Sequence, residues 1–466
     1  MTFLPTALTH RQLFGMGLLL LNALAPLTTS ALELEALPVD DTQRPFFSAL
    51  EDLHAVGYSE DEYLISGAAD VYQYTTALDI EVQTTAVPYT TRMLIRRPTN
   101  PQRFNGVVVF EMLNPTAGFD ADFMWKYTSD LLIRRGYIWV GVTIRDNAAN
   151  FLKFWNPQRY ATIDIPDRGV SYGMYGQVAT LLKDTDNPDN PLSAYDVELL
   201  LGAGYSQSDD WITTFSNEFH HQALINGEPA FDGYLTAGGN AAARAINSND
   251  SEFYPDERRY NVVDAPYFRV QSETELDLFS FPANLTRQPD SITFRQWEVP
   301  GATHADGVVW QDFSATIQRD LGAPLGQCDN PQSNIALGPY IRSALHHLTR
   351  WAGDGIPPPA SQYIAIAGNN QVLRDVDGNA LGGIRTPDIA APAASYLPFN
   401  SGPGPCIFSG AELPFSAEQL AQRYPNHGHY IRQVVQAANQ LRRDGYLLPA
   451  DAREFKRNAA HSTVGQ

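Results

Sequence analysis

Two kinds of hydrophobic spacing alternate along this chain. At 63–74 (YLISGAADVYQY) and 88–98 (PYTTRMLIRRP), apolar and polar residues alternate with a period of two. That period predicts half-exposed strands near a sheet edge. The runs GVVVFEML (106–113) and YIWVGVTI (137–144) are almost continuously apolar, as strands buried on both faces should be. Between them, DADFMWKYTSDLLIRRG (120–136) has helical spacing and ends on a glycine. GQVATLLKDT (176–185) leads into DVELLLGAG, where Val197–Ala203 reads as the central strand. DDWITTFSNEFHHQAL (209–224) is helical again, and FDGYLTAGG (231–239), APYFRVQ (265–271) and FRQWEVPG (294–301) read as further strands. Strands separated by helices predict an α/β architecture: a mostly parallel central sheet, right-handed crossovers and helices on both faces. A long helix over 335–355 stops before Pro357-Pro358-Pro359. The remaining residues are richer in Pro and Gly, with a late helix around 418–443. This predicts one domain over 32–466, with a core of about 60–355 and a C-terminal extension of about 356–466 packed onto it.

The first 31 residues do not fit this pattern. A weakly basic start at His10 and Arg11 precedes the apolar run LFGMGLLLLNALAPL (13–27) and the small residues Thr29-Ser30-Ala31. This reads as a signal peptide, with export to a periplasmic or extracellular compartment; an uncleaved anchor is the alternative. No later segment is apolar enough over enough residues to span a bilayer. The formal charge of −20 repels phosphate backbones and anionic lipid, which turns the expectation away from nucleic-acid and membrane-surface partners and toward a small-molecule substrate. The two cysteines, Cys328 and Cys406, are expected to pair in an oxidising compartment.

The run DVELLLGAG ends in Gly204-Tyr205-Ser206-Gln207-Ser208. G-x-S-x-small between a strand and a helix is the pattern of a nucleophile elbow, where small residues two before and two after the serine let the backbone turn tightly. Ser208 stands where glycine is usual, so the competing reading is a serine that merely caps the helix. A serine nucleophile needs a base. Of ten histidines, His304 in WEVPGATHADG lies in a glycine-bounded loop just past a strand. His220, His221, His346 and His347 lie in helical stretches, and His427 and His429 offer only two ligands. The acid of the triad belongs after the penultimate strand, where VQSETELDL presents Glu273, Glu275 and Asp277. Glu275, about four residues past the strand, is favoured, with Glu273 the alternative. The order Ser206, Glu275, His304 is that of α/β-hydrolases. For the oxyanion hole the candidate donors are the N–H groups of Gln207 and Asn114, with Thr116 behind Asn114, since Pro115 has no N–H.

Two further patterns carry less. DVDGNALGGIRTPD (375–388) fails the spacing of a calcium loop at its glycine and closing residue, and reads as a turn between strands. AGGNAAARA (237–245) lacks a dinucleotide fingerprint and reads as the end of a strand before a helix. FLKFWNPQRY (151–160), taken as a loop after a strand, either lines an aryl pocket or packs in the core. No metal or organic cofactor is expected.

The segments GYSEDEYLISGAADVY, VVVFEMLN, LLGAGYSQS, VQSETEL, WEVPGATHAD, ALHHLTRWAGDGIPPP and DVDGNALGGIRTPDIAAP resemble a family of exported α/β-hydrolase domain proteins across nearly the whole chain after the signal. The resemblance implies an α/β-hydrolase fold and an esterase-like site on Ser206, a glutamate of SETE, and His304. It leaves the substrate open. The expectation is a serine hydrolase of carboxylic esters, with an amidase or peptidase on the same triad, or a non-catalytic binding protein on a hydrolase fold, as alternatives.

Overall fold

The computed structural model describes residues 32–40, 43–76, 79–240, 242–250, 253–254, 260–276, 282–368 and 370–466. The signal-like segment and Asp277 lie outside the described residues. The sheet is built from β1 (Glu33–Leu37), β2 (Tyr58–Tyr74), β3 (Ile80–Pro98), β4 (Val107–Met112), β5 (Ile138–Val142) and β6 (Leu199–Tyr205). A small hairpin, β7 (Leu224–Ile225) and β8 (Glu228–Pro229), precedes β9 (Gly233–Ala237). A short pair, β10 (Ala243–Arg244) and β11 (Phe253–Tyr254), precedes β12 (Tyr267–Ser272) and β13 (Phe294–Val299). The nine-stranded order is β1-β2-β3-β5-β4-β6-β9-β12-β13. Pairings from β1 to β5 across β2 and β3 are antiparallel; all those from β5 to β13 are parallel.

The continuous apolar runs are explained by burial on both faces. Val108, Phe110 and Met112 of β4 join one core cluster, while Val107 and Val109 join the other, as the alternation of a strand requires. Helices α3 (Val170–Lys183) and α4 (Gln207–Glu218) cover the first face, giving it Val178, Leu182, Trp211 and Phe215. Helices α1 (Phe123–Arg135) and α6 (Gly338–Asp354) cover the second with Trp125, Leu132, Leu345 and Leu348. The C-terminal hundred residues enter that same second cluster through Ile384, Ile389, Tyr396 and Leu447.

The architecture is the α/β one that the spacing predicts, but several elements differ. Residues 151–160 are not simply a loop: α2 (Asp146–Trp155) runs through them. Its exposed Phe154 blurs the apolar stripe, while Phe151 and Trp155 pack against Phe46 in the core. Helix α5 (Gly307–Leu321) was not signalled either, because Val308 is exposed and Thr316 buried, which inverts the expected pattern. Among the described residues no helix follows AGGNAAARA, whose end instead carries β10. A turn, α7 (Pro387–Ala390), and the pair β14 (Ala394–Leu397) and β15 (Ala411–Pro414) follow. The late helix expected around 418–443 is two, α8 (Ala417–Arg423) and α9 (His427–Asp444), and a third, α10 (Pro449–His461), follows. Pro425 separates the first two, and Asn426 caps α9 by accepting from His429 N at 2.9 Å.

Candidate active site

The helices after β4 and β6 lead away in opposite directions, α1 toward β5 and α4 toward β9, so the C-terminal ends of these two neighbouring strands form the topological switch point of the sheet. Ser206 lies there, between the last residue of β6 and the first of α4. Its φ of 58° and ψ of −124° place an L-residue in a region essentially reserved for glycine, at a cost of about 1–3 kcal/mol. The competing cap reading fails on geometry: the Ser206 side chain makes no capping hydrogen bond.

The turn explains its neighbours. A Cβ on Gly204 would sit 2.4 Å from the Ser208 carbonyl oxygen, so strand and helix meet too closely for any side chain there. Ser208 is accommodated because its side chain turns the other way. It is buried, and its hydroxyl donates to Leu113 O at 3.2 Å. The second small residue of the elbow therefore binds the end of β4 to the start of α4.

Histidine and glutamate meet as a pair. His304 Nδ1 lies 2.6 Å from Glu275 Oε1, and Glu275 Oε2 accepts from Ser272 N at 2.7 Å. Glu275 is buried, and the imidazole is only slightly exposed. Glu273, the alternative acid, faces elsewhere: it accepts from Gly301 N at 2.8 Å and pairs with Arg374. Burial raises the Glu273 carboxyl above its ordinary range, opposed by Arg374.

Several side chains not singled out in the sequence hold the histidine loop. The Tyr205 ring lies 5.3 Å from the imidazole and the Phe408 ring 5.1 Å. The Tyr205 and Tyr127 hydroxyls both donate to His304 O. Burial raises both phenols well above their ordinary range, so they remain donors. Thr274 accepts from His304 N at 3.2 Å, and Ala305 N donates to Phe408 O at 2.8 Å. Phe408 follows Cys406, which is bonded to Cys328 with Cα atoms 5.5 Å apart. Only an aromatic next to the serine and a cysteine near an aromatic could have hinted at these roles.

The Asn114 expectation requires correction. Its N–H donates to Ala121 O at 2.9 Å in an antiparallel bridge, so it is already occupied. The Thr116 N–H is occupied as well, by Asn114 Oδ1 at 2.9 Å. Asn114 acts through its side chain, whose amide donates to Tyr205 O at 2.8 Å and ties this loop to the elbow. Among the described residues, the N–H groups of Gln207 and of the exposed Ala117 are among those near the turn that meet no protein acceptor, as are those of Phe119 and Asp120. The far side of the loop is anchored by two buried ion pairs from β3, Arg92 with Asp120 and Arg96 with Asp122.

A search of the curated proteins finds no match in sequence. Among solved structures, a poly(3-hydroxybutyrate) depolymerase from Bordetella parapertussis is 12% identical with a TM-score of 0.32, covering 58% of this chain and 91% of its own. The esterase Est22 is 9% identical with a TM-score of 0.29, covering 57% and 70%. A lidless serine hydrolase from Xanthomonas campestris is 11% identical with a TM-score of 0.27, covering 51% and 92%. Likeness this distant carries no argument about substrate or site. The sequence model of the alpha/beta hydrolase domain family, by contrast, matches residues 28–457, and with that span, this sheet order and this strand-turn-helix serine, the chain belongs to the alpha/beta hydrolase domain family.

Proposed function

We propose that this protein is a serine hydrolase that cleaves a carboxylic ester. The observation that carries the reading is the buried Glu275 carboxylate 2.6 Å from His304 Nδ1, on loops that pack against the strained turn bearing Ser206. With Nδ1–H donated to Glu275, the imidazole presents Nε2 as a base. In this reading Nε2 takes the Ser206 proton as the hydroxyl attacks the ester carbonyl. The oxyanion is held by the Gln207 N–H at the start of α4 and by the Ala117 N–H of the loop after β4. His304 then protonates the departing alcohol, activates water, and the acyl-enzyme is hydrolysed.

Export to an oxidising compartment belongs to the same proposal and is supported by the disulfide. No helix of the described residues is long and apolar enough to cross a membrane. An amide or peptide substrate is the alternative on this triad. Paired chromogenic esters and amides with the same acyl group separate the two. Ester hydrolysis exceeding amide hydrolysis by orders of magnitude is expected, and preferential amide cleavage would replace the esterase assignment.

A further inference from the structure

The α4 helix carries the chain away from Ser206 for 12 residues, about 18 Å at 1.5 Å per residue. It ends beside a single turn, His220–Gln222. Asp264 lies three residues before β12, which runs the other way toward Ser272 and Glu275. These segments meet at the sheet edge opposite the nucleophile, where one ligating atom each from His220, His221 and Asp264 lie within 4.8 Å of one another. Asp264 Oδ1 is 3.7 Å from His220 Nε2 and 3.1 Å from His221 Nε2.

Those separations have a chemical reading. With metal–ligand bonds of about 2.0–2.2 Å in a tetrahedral site, adjacent ligand atoms sit about 3.3–3.6 Å apart; the two aspartate–histidine distances bracket that value, and the remaining pair lies within 4.8 Å. At 3.7 Å the His220 contact is too long for a hydrogen bond. The other nitrogen of His220 is already oriented: Nδ1 lies 2.8 Å from the Tyr234 hydroxyl on β9. With Nδ1–H donated to that oxygen, Nε2 offers its lone pair to the cluster, the arrangement that fixes metal-binding histidines elsewhere. His220 is buried, whereas His221 and Asp264 are exposed, leaving a path for an ion and room for water in a fourth position.

We propose that His220, His221 and Asp264 form a three-ligand site for a divalent transition-metal ion of the zinc type. Two imidazoles and one carboxylate are the ligand set that borderline ions such as Zn²⁺ prefer over Mg²⁺ or Ca²⁺. The ion takes no part in chemistry at Ser206. It fastens the far end of the nucleophile helix to the entry of the strand that leads to Glu275.

The test uses the full chain stripped with EDTA. Isothermal titration with Zn²⁺ is expected to give one ion per chain, with a rise in Tm, and Co²⁺ is expected to develop the visible absorption of a tetrahedral site. His220 is in the core and its replacement could unfold the protein, so the variants are His221→Ala and Asp264→Asn at exposed positions. Each is expected to weaken Zn²⁺ at least about 10-fold and abolish the Co²⁺ spectrum, with far-UV circular dichroism unchanged. No stoichiometric Zn²⁺ binding by the parent chain, or equal binding by both variants, would overturn the site.

Discussion

At the residue scale the account rests on a strained serine and on a choice between two glutamates. Ser206 holds a φ of 58°, so Ser206→Gly should remove the reactive hydroxyl and still gain about 1 kcal/mol in stability, by relief of strain less the entropy of glycine. Chemical denaturation measures this, and a less stable variant would argue against strain at the turn. The sequence favoured Glu275 over Glu273 only by its distance past the strand, because both lie within four residues of the strand end and packing decides which turns toward His304. The contacts make different expectations for each. Glu275→Gln should lower kcat by about 10³–10⁴ with little change in KM, because the imidazolium loses its partner. Glu273→Gln should chiefly lower stability, by about 1–3 kcal/mol, because glutamine keeps one acceptor oxygen where Arg374 and Gly301 N need two, and loses the charge that pairs with Arg374. Kinetics and denaturation on both variants tell the two roles apart, and equal kinetic losses would refute the distinction.

At the element scale, the strand-turn-helix unit was legible because its signals are local: an apolar run, Gly204, the serine and a helical pattern in one continuous stretch. The loop after β4, proposed to supply an oxyanion donor, was not, because whether the Asn114 N–H is free depends on a bridge to Ala121, seven residues on, which leaves no periodic trace. Gly204→Ala should cost about 1–3 kcal/mol through overpacking against Ser208 O, visible as a lowered Tm. Glu111 on β4 offers a pH-dependent test of how α1 is held. Its carboxyl accepts from Met124 N and Trp125 N in the first turn of α1 and from Trp139 Nε1 at 2.8 Å. Burial raises it from 4.5 to about 8, with these donors opposing. The folded chain therefore keeps a proton that the unfolded chain releases, and stability from this group is full below about pH 4.5 and lost as pH rises through about 8. Glu111→Gln should lose less stability than the parent between about pH 5 and pH 9 in urea titrations. A parallel loss in both proteins would mean that Glu111 does not titrate in this range.

At the scale of the whole molecule, the α/β order of elements was legible because parallel strands buried on both faces announce themselves by composition. The C-terminal hundred residues were legible only as an extension with a late helix; how they enter the core was not, because they do so singly, through residues such as Ile384, Ile389 and Leu447. Their link to the site runs through the disulfide and Phe408 to the His304 loop. Replacing both cysteines by serine should cost about 2–4 kcal/mol and loosen the histidine loop, lowering kcat more than it raises KM. The central claim, that Ser206 is the nucleophile activated by His304, is met most directly by labelling with a fluorophosphonate probe and peptide mapping by mass spectrometry. One equivalent of label is expected on Ser206, with none on Ser206→Ala and strongly slowed labelling of His304→Ala. A label on another residue, or a Ser206→Ala protein that retains full ester hydrolysis, would contradict the account.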